Sequence, residues 1–171
     1  MSNSKVIALS ALSASLGLIF LVFGSYFSVF DLSCLFMSSL FIMFPLSKGS
    51  IKGAIISYLA VFVLSLIFCA GKFYMPILYG VFFGLHPVVN YYQVKTNKNK
   101  VLFNGLKLVW FLLTLFLMFY LFTLFTVDLG VFQKFIPIII IVVGTFAFFV
   151  YDYAMLRFQL MTKILIDKFR L

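Results

Sequence analysis

The sequence LVWFLLTLFLMFYLFTLFTV, residues 108–127, decides the fold of this chain. Fourteen of its 20 residues are Leu, Phe or Val, and none is charged. A helix needs about 20 residues to cross roughly 30 Å of hydrocarbon. Insertion of this run gains about 4–8 kcal/mol before polar costs. Because unpaired backbone groups are so costly in lipid, no other fold of the segment competes. The run predicts a transmembrane helix.

Five further apolar runs, each bounded by charged residues, hold 16 to 25 uncharged residues. The run that follows Lys5 is too long for the core of a signal peptide, so we interpret it as the first span. The runs are apolar on every face, whereas a membrane β-barrel would alternate polar and apolar residues. We therefore predict an all-α, polytopic membrane protein. Its single six-helix domain covers residues 1–171, with spans at about 6–28, 32–47, 53–71, 73–93, 106–127 and 135–158.

Composition supports lipid as the solvent. Hydrophobic types make up 65% of the chain, charged types only 10%, and the mean hydropathy is +1.22. A soluble domain carries about 25% charged residues. Cys34 and Cys69 lie inside apolar runs with no C-x-x-C pattern, which favours simple packing over a metal site. With one His, no Glu and no phosphate-binding loop, we predict no enzyme activity, no cofactor and no metal.

The basic residues, which give a net charge of +9, predict the orientation. With six spans, Lys72 and Lys134 lie on one side and eleven basic residues on the other, which by the positive-inside rule is cytoplasmic. The eleven are Lys5, Lys48, Lys52, Lys95, Lys98, Lys100, Lys107, Arg157, Lys163, Lys168 and Arg170. Both termini are then cytoplasmic. We expect the protein to reside in the plasma membrane of a bacterium. Because topology explains the charge, we predict lipid and not nucleic acid as the partner. The Lys95–Lys100 loop is a solvated turn or contacts lipid headgroups, where each Lys contributes about 1 kcal/mol.

Two polar residues within spans are candidates for function. His86 precedes Pro87, which removes a backbone donor and predicts a kink. His86 either bonds the carbonyl that Pro87 frees or has a functional role. Asp152, five residues before Arg157, forms a structural salt bridge, reaches to the interface, or relays protons. If the fourth and sixth helices touch, His86 and Asp152 lie at similar depth, and we hypothesise that they pair.

Two surfaces are candidates for binding. In the first span, Ser10/Ala14 and Ala11/Ser15 are small residues spaced by four, which either pack inside the bundle or dock a partner protein. At the outer end, polar groups in an aromatic setting predict either a small-molecule site or ordinary interfacial anchoring. Those outer residues are Tyr26, Asp31, Lys72, Tyr74, Asp128 and Gln133.

These features resemble a known family. Six spans, both ends inside, about 170 residues and the small-residue stretch Ala8–Ala14 resemble the substrate-binding S components of energy-coupling factor transporters. Ser10-x-x-x-Ala14 and Ala11-x-x-x-Ser15 stand where that family has A-x-x-x-A. The stretch YGVFFGLHP, residues 79–87, also looks like a segment of uncharacterised bacterial relatives of that group.

The resemblance implies a micronutrient or vitamin uptake system. The ligand would be captured near the outer face by the loops after spans one, three and five. A transmembrane coupling subunit and two ATPase subunits, on other chains, would drive transport by toppling this subunit in the membrane. The alternative is a structural protein similar to the rod-shape membrane protein of the cell-wall elongation machinery, which would act through protein contacts alone.

Overall fold

The computed structural model describes residues 3–96, 99–125 and 134–168, and these residues form helices and short turns without any β-strand. This confirms the all-α prediction. Short 3-10 turns occupy Ser28–Phe30 and Ala70–Lys72, and a π-helical turn occupies Tyr79–Phe83. The α-helices are α1 (Asn3–Tyr26), α2 (Asp31–Phe41), α3 (Met43–Ser47), α4 (Ile51–Phe68), α5 (Tyr74–Leu78), α6 (His86–Thr96), α7 (Lys100–Phe125) and α8 (Ile136–Lys168).

Among the described residues, four helices are long and apolar enough to cross a membrane, namely α1, α4, α7 and α8. The predicted second span corresponds to the shorter apolar segment Asp31–Ser47, which changes from α2 to α3 at Ile42. The predicted fourth span corresponds to Tyr74–Thr96, which contains α5, the π turn and α6. The chain is thus a helical membrane protein, and the count of six crossings stays a prediction.

The interruption between α5 and α6 lies next to Pro87. The amide of Gly84 donates to the carbonyl of Tyr79 at 2.8 Å, which is the wider spacing of a π turn. Regular α-helix resumes at His86. Because Pro87 has no amide hydrogen, the turn before it lacks one helical hydrogen bond.

A second interruption separates α3 from α4. Gly49 has φ of +76°, a left-handed conformation that favours glycine, and it ends α3. Ser50 then caps α4, because its hydroxyl accepts from the amide of Gly53 at 3.1 Å. These two residues reverse the chain at what we call the inner end, the end predicted to face the cytoplasm.

Small residues bring α1 close to its neighbours α2 and α4. The Ser38 hydroxyl of α2 donates to the carbonyl of Gly17 at 2.8 Å, and the Ser57 hydroxyl of α4 donates to the carbonyl of Ser10 at 2.9 Å. Without water, van der Waals contact and such hydrogen bonds are what hold membrane helices together.

The outside of the bundle is largely apolar, unlike that of a water-soluble protein. On α8, Phe146 is 73% exposed, whereas Lys107 and Asp152 in the interior are 2% and 5% exposed. Apolar side chains cover much of the outside of α1, α4, α7 and α8. A surface of this kind is stable in lipid, and the charged groups inside need partners within the protein.

Candidate functional site

An ionic cluster lies in the interior between α6, α7 and α8. It contains Asp152 of α8, Lys107 of α7, and His86 and Asn90 of α6. The Lys107 ammonium lies 2.6 Å from Asp152 Oδ1 and donates to Asn90 Oδ1 at 2.7 Å. His86 Nε2 lies 3.1 Å from the same Asp152 oxygen. One carboxylate oxygen therefore connects three helices.

The His86 imidazole contacts two aromatic rings as well as the Asp152 carboxylate. The rings of Phe82 and Tyr151 lie 5.0 and 4.8 Å from the imidazole, centroid to centroid. The 3.1 Å contact of His86 with Asp152 lacks hydrogen-bond alignment, and His86 Nδ1 has no partner among the described residues. The histidine therefore has capacity for a further hydrogen bond at Nδ1.

The polar groups continue toward the inner end along one face of α6. His86, Asn90 and Gln93 are spaced by four and three residues, so they lie on the same side of the helix. Gln93 donates to Asn104 Oδ1 of α7 at 3.0 Å. A row of polar side chains thus extends from the ionic cluster along the α6–α7 interface.

The partner of Asp152 and the position of Lys107 differ from those expected from the sequence. A salt bridge with Arg157 was one alternative for Asp152, but the cation that pairs with Asp152 is Lys107, while the Arg157 guanidinium donates to the Tyr153 hydroxyl at 3.0 Å. Lys107 was counted among the basic residues at the cytoplasmic end of the fifth span. The structure places it two turns inside α7, which begins at Lys100, and its side chain is buried in the bundle interior.

The structure brings His86 and Asp152 together, as the pairing hypothesis requires, and a double-mutant cycle would test the pair. We expect His86→Phe and Asp152→Asn, made singly and together, to show a coupling free energy above about 0.5 kcal/mol in thermal unfolding. The matched control combines His86→Phe with Arg157→Gln. The changes in unfolding free energy caused by these two substitutions should add. If the changes in unfolding free energy for His86→Phe and Asp152→Asn also added, the contact between the two residues would contribute nothing to stability.

A second polar cluster occupies the opposite end, which we call the outer end. Lys72 donates to both carboxylate oxygens of Asp31, at 3.0 and 3.3 Å, and the Tyr74 hydroxyl donates to Asp31 Oδ2. The ring of Phe122 lies 5.5 Å from that of Tyr74, so the outer end of α7 borders the cluster. Three of the six residues predicted for a ligand site therefore meet.

The other three predicted binding residues are not part of that cluster. Tyr26 is 76% exposed and lines a shallow apolar groove with Phe27 and Phe68. Asp128 and Gln133 lie outside the described residues. The ligand site, as predicted, thus reduces to Asp31, Lys72 and Tyr74 for the part of the chain that the structure describes.

The small residues of α1 divide between two faces. Ser10 is buried against α4, where an added Cβ on Gly53 would meet its hydroxyl at 2.5 Å, and Ala14 packs against the central apolar core. Ala11 and Ser15 are exposed on the outside of α1. Internal packing therefore uses Ser10 and Ala14, and only Ala11 and Ser15 are accessible to a partner.

Sequence reasoning missed Lys107 and Asn90. The polar spacing of residues 86, 90 and 93 on α6 was a usable signal, because three polar residues on one face of a membrane helix indicate a polar interface. Lys107 gave no such signal, because a charged residue beside an apolar run is interpreted as the end of the span. Its burial depends on where α7 begins.

The fold and the intramembrane ionic cluster define an α-helical integral membrane protein with charged groups inside the bundle. Comparison with family models, curated proteins and solved structures finds no match to this chain. Within the described ranges, no three His, Cys, Asp or Glu residues are grouped as metal ligands.

Proposed function

We propose that this protein is the substrate-binding membrane subunit of an energy-coupling factor type uptake transporter, with a micronutrient such as a vitamin as its ligand. The observation that carries the proposal is the convergence of Asp31, Lys72 and Tyr74 at the outer end. A carboxylate from the start of α2 meets an ammonium and a phenol from the segment that leads into α5, beside aromatic rings. Few convergent polar groups in an apolar setting are typical of small-molecule sites.

The chemistry of this outer cluster suits a small polar ligand. Lys72 and Tyr74 are donors, and Asp31 is an acceptor that they share. A ligand that carries an acceptor and a donor would exchange with these contacts, taking hydrogen bonds from Lys72 and giving one to Asp31. The side chains of Lys72 and Asp31 are 19% and 14% exposed, so a solute at the outer surface can reach them.

Energy coupling would come from other chains. The sequence has no phosphate-binding loop, so ATP hydrolysis belongs to separate ATPase subunits. The exposed residues Ala11 and Ser15 offer a smooth strip of α1 on which a transmembrane coupling subunit would pack. In this proposal the protein resides in the cytoplasmic membrane of a bacterium, with the outer cluster facing outward.

Thermal unfolding of the purified protein with a panel of vitamins tests the proposal. We expect one ligand to stabilise the protein, by about 2.7 kcal/mol at 100 times its Kd. Asp31→Asn combined with Lys72→Met should abolish this stabilisation. The same pair should change the unliganded protein by less than about 1 kcal/mol, since a partly exposed ion pair contributes little.

Arg157→Gln is the matched control, because Arg157 is an exposed charge on α8 whose guanidinium packs on Tyr153 of the same helix. It should leave the ligand effect unchanged. A panel without any stabilising ligand, together with no co-purifying ATPase, would overturn the proposal. Co-purification of cell-wall synthesis proteins in that case would favour the structural alternative.

A further inference from the structure

The inner end of the bundle contains a cavity that the proposed ligand site does not use. Its volume is about 510 Å³, within the range of small-molecule pockets, about 300–1,000 Å³. It lies between the α3–α4 turn, α6 and α8. Its position, at the opposite end from Asp31, Lys72 and Tyr74, makes it a separate site.

Two kinds of side chain line this cavity. Lys48, Lys95 and Lys163 come from three different elements, and among its described lining residues none is acidic. The walls are apolar, and two wall residues, Val94 and Leu160, are 58% and 59% exposed on the outside of the bundle. Positive charge beside an exposed apolar wall matches a molecule that is anionic at one end and apolar at the other.

One polar atom in the wall has no protein partner. Gln159 lines the cavity, and its buried Oε1 has no hydrogen-bond partner among the described residues. A buried polar atom without a partner costs about 1–3 kcal/mol. A hydroxyl on an anionic headgroup would donate to it while the adjacent phosphate lies among the lysines.

From this combination we propose that the cavity is a binding site for an anionic phospholipid with a hydroxyl-bearing headgroup, such as phosphatidylglycerol. The phosphate lies among Lys48, Lys95 and Lys163, the headgroup hydroxyl donates to Gln159, and the acyl chains run along Val94 and Leu160. Basic pockets between membrane helices on the cytoplasmic side suit such headgroups. A free phosphate ion would fit the lysines but would leave the apolar wall uncovered.

The lysines supply the test. The full chain is purified in neutral detergent, and the Kd of phosphatidylglycerol is measured from lipid adducts in native mass spectrometry. We expect Lys48→Gln, Lys95→Gln and Lys163→Gln together to weaken phosphatidylglycerol binding by at least about tenfold, since one lysine at an anionic lipid surface contributes roughly fivefold. The single change Lys163→Gln should weaken phosphatidylglycerol binding by about fivefold. This variant replaces the triple variant in the test if the triple variant does not fold.

Three exposed lysines at the same end give a matched control with the same loss of charge. Lys52, Lys100 and Lys168 do not line the cavity, and their triple replacement by Gln should weaken binding by less than about threefold. Phosphatidylcholine with the same acyl chains should bind at least about tenfold more weakly than phosphatidylglycerol. The proposal would be overturned if the two triple variants lost the same affinity, or if the two lipids bound equally well. It would also be overturned if inorganic phosphate stabilised the protein against heat as much as phosphatidylglycerol does. Vitamin binding at the outer end plays no part in this measurement.

Discussion

Replacing Lys107 by Met is expected to destabilise the protein by about 3–5 kcal/mol, because it removes the ammonium partner of the Asp152 carboxylate in the interior of the bundle. Asp152 is 5% exposed, and Lys107 is its nearest cation, at 2.6 Å. The measurement is the free energy of unfolding in mixed micelles of denaturing and neutral detergent. Of the changes considered for this chain, this one has the largest expected effect.

Two further variants show whether the loss comes from the unpaired charge. Lys100→Met, on the same helix but exposed, should change stability by less than about 0.5 kcal/mol. Lys107→Met combined with Asp152→Leu should recover most of the loss, because removal of both charges replaces an ion pair with apolar contact. If Lys107→Met were no more destabilising than Lys100→Met, the ionic cluster would not be an interior feature of the folded protein.

Replacing Gly24 by Ala is the second large effect that we expect. An added Cβ on Gly24 of α1 would lie 2.7 Å from the Cβ of Cys34 on α2 and 2.8 Å from the terminal methyl of Met75 on α5. The Cβ of Cys34 is fixed by its own helix, so α1 and α2 would have to separate. Overpacking of this kind costs about 1–3 kcal/mol in thermal unfolding.

Gly105→Ala provides the matched control for Gly24→Ala. Gly105 also lies within a long helix, but no atom lies within 4 Å of an added Cβ. Because glycine costs about 1 kcal/mol in a helix interior, Gly105→Ala should be neutral or slightly stabilising. If Gly24→Ala were tolerated as well as Gly105→Ala, the contact between α1 and α2 would be looser than the structure shows.

The helical fold could be predicted from the sequence because each apolar run must satisfy its own backbone once it is in lipid. Residues 108–127 illustrate this, since they lie almost wholly within α7 as described. The lengths of individual spans were less predictable. The interruptions at Ile42 and at residues 79–85 depend on local packing and on Pro87, and hydrophobicity alone does not report them.

The candidate sites were predictable in part. Asp31, Lys72 and Tyr74 were found because they flank the ends of apolar runs, although nothing in their spacing predicted that they bond one another. His86 and Asp152 were found because ionisable groups inside spans are rare. The partnership of Asp152 with Lys107 was missed, because a charge seven residues inside a helix looks the same in sequence as one in the preceding loop.

The length of α8 has a practical consequence. Its 33 residues extend about 50 Å at 1.5 Å per residue, which exceeds the roughly 30 Å hydrocarbon core. A helix of this length must therefore tilt in the bilayer or extend beyond the hydrocarbon at one end. A spin label on α8 in aligned bilayers would report the angle between this helix and the membrane plane, and rocking of the subunit would appear as a change in that angle.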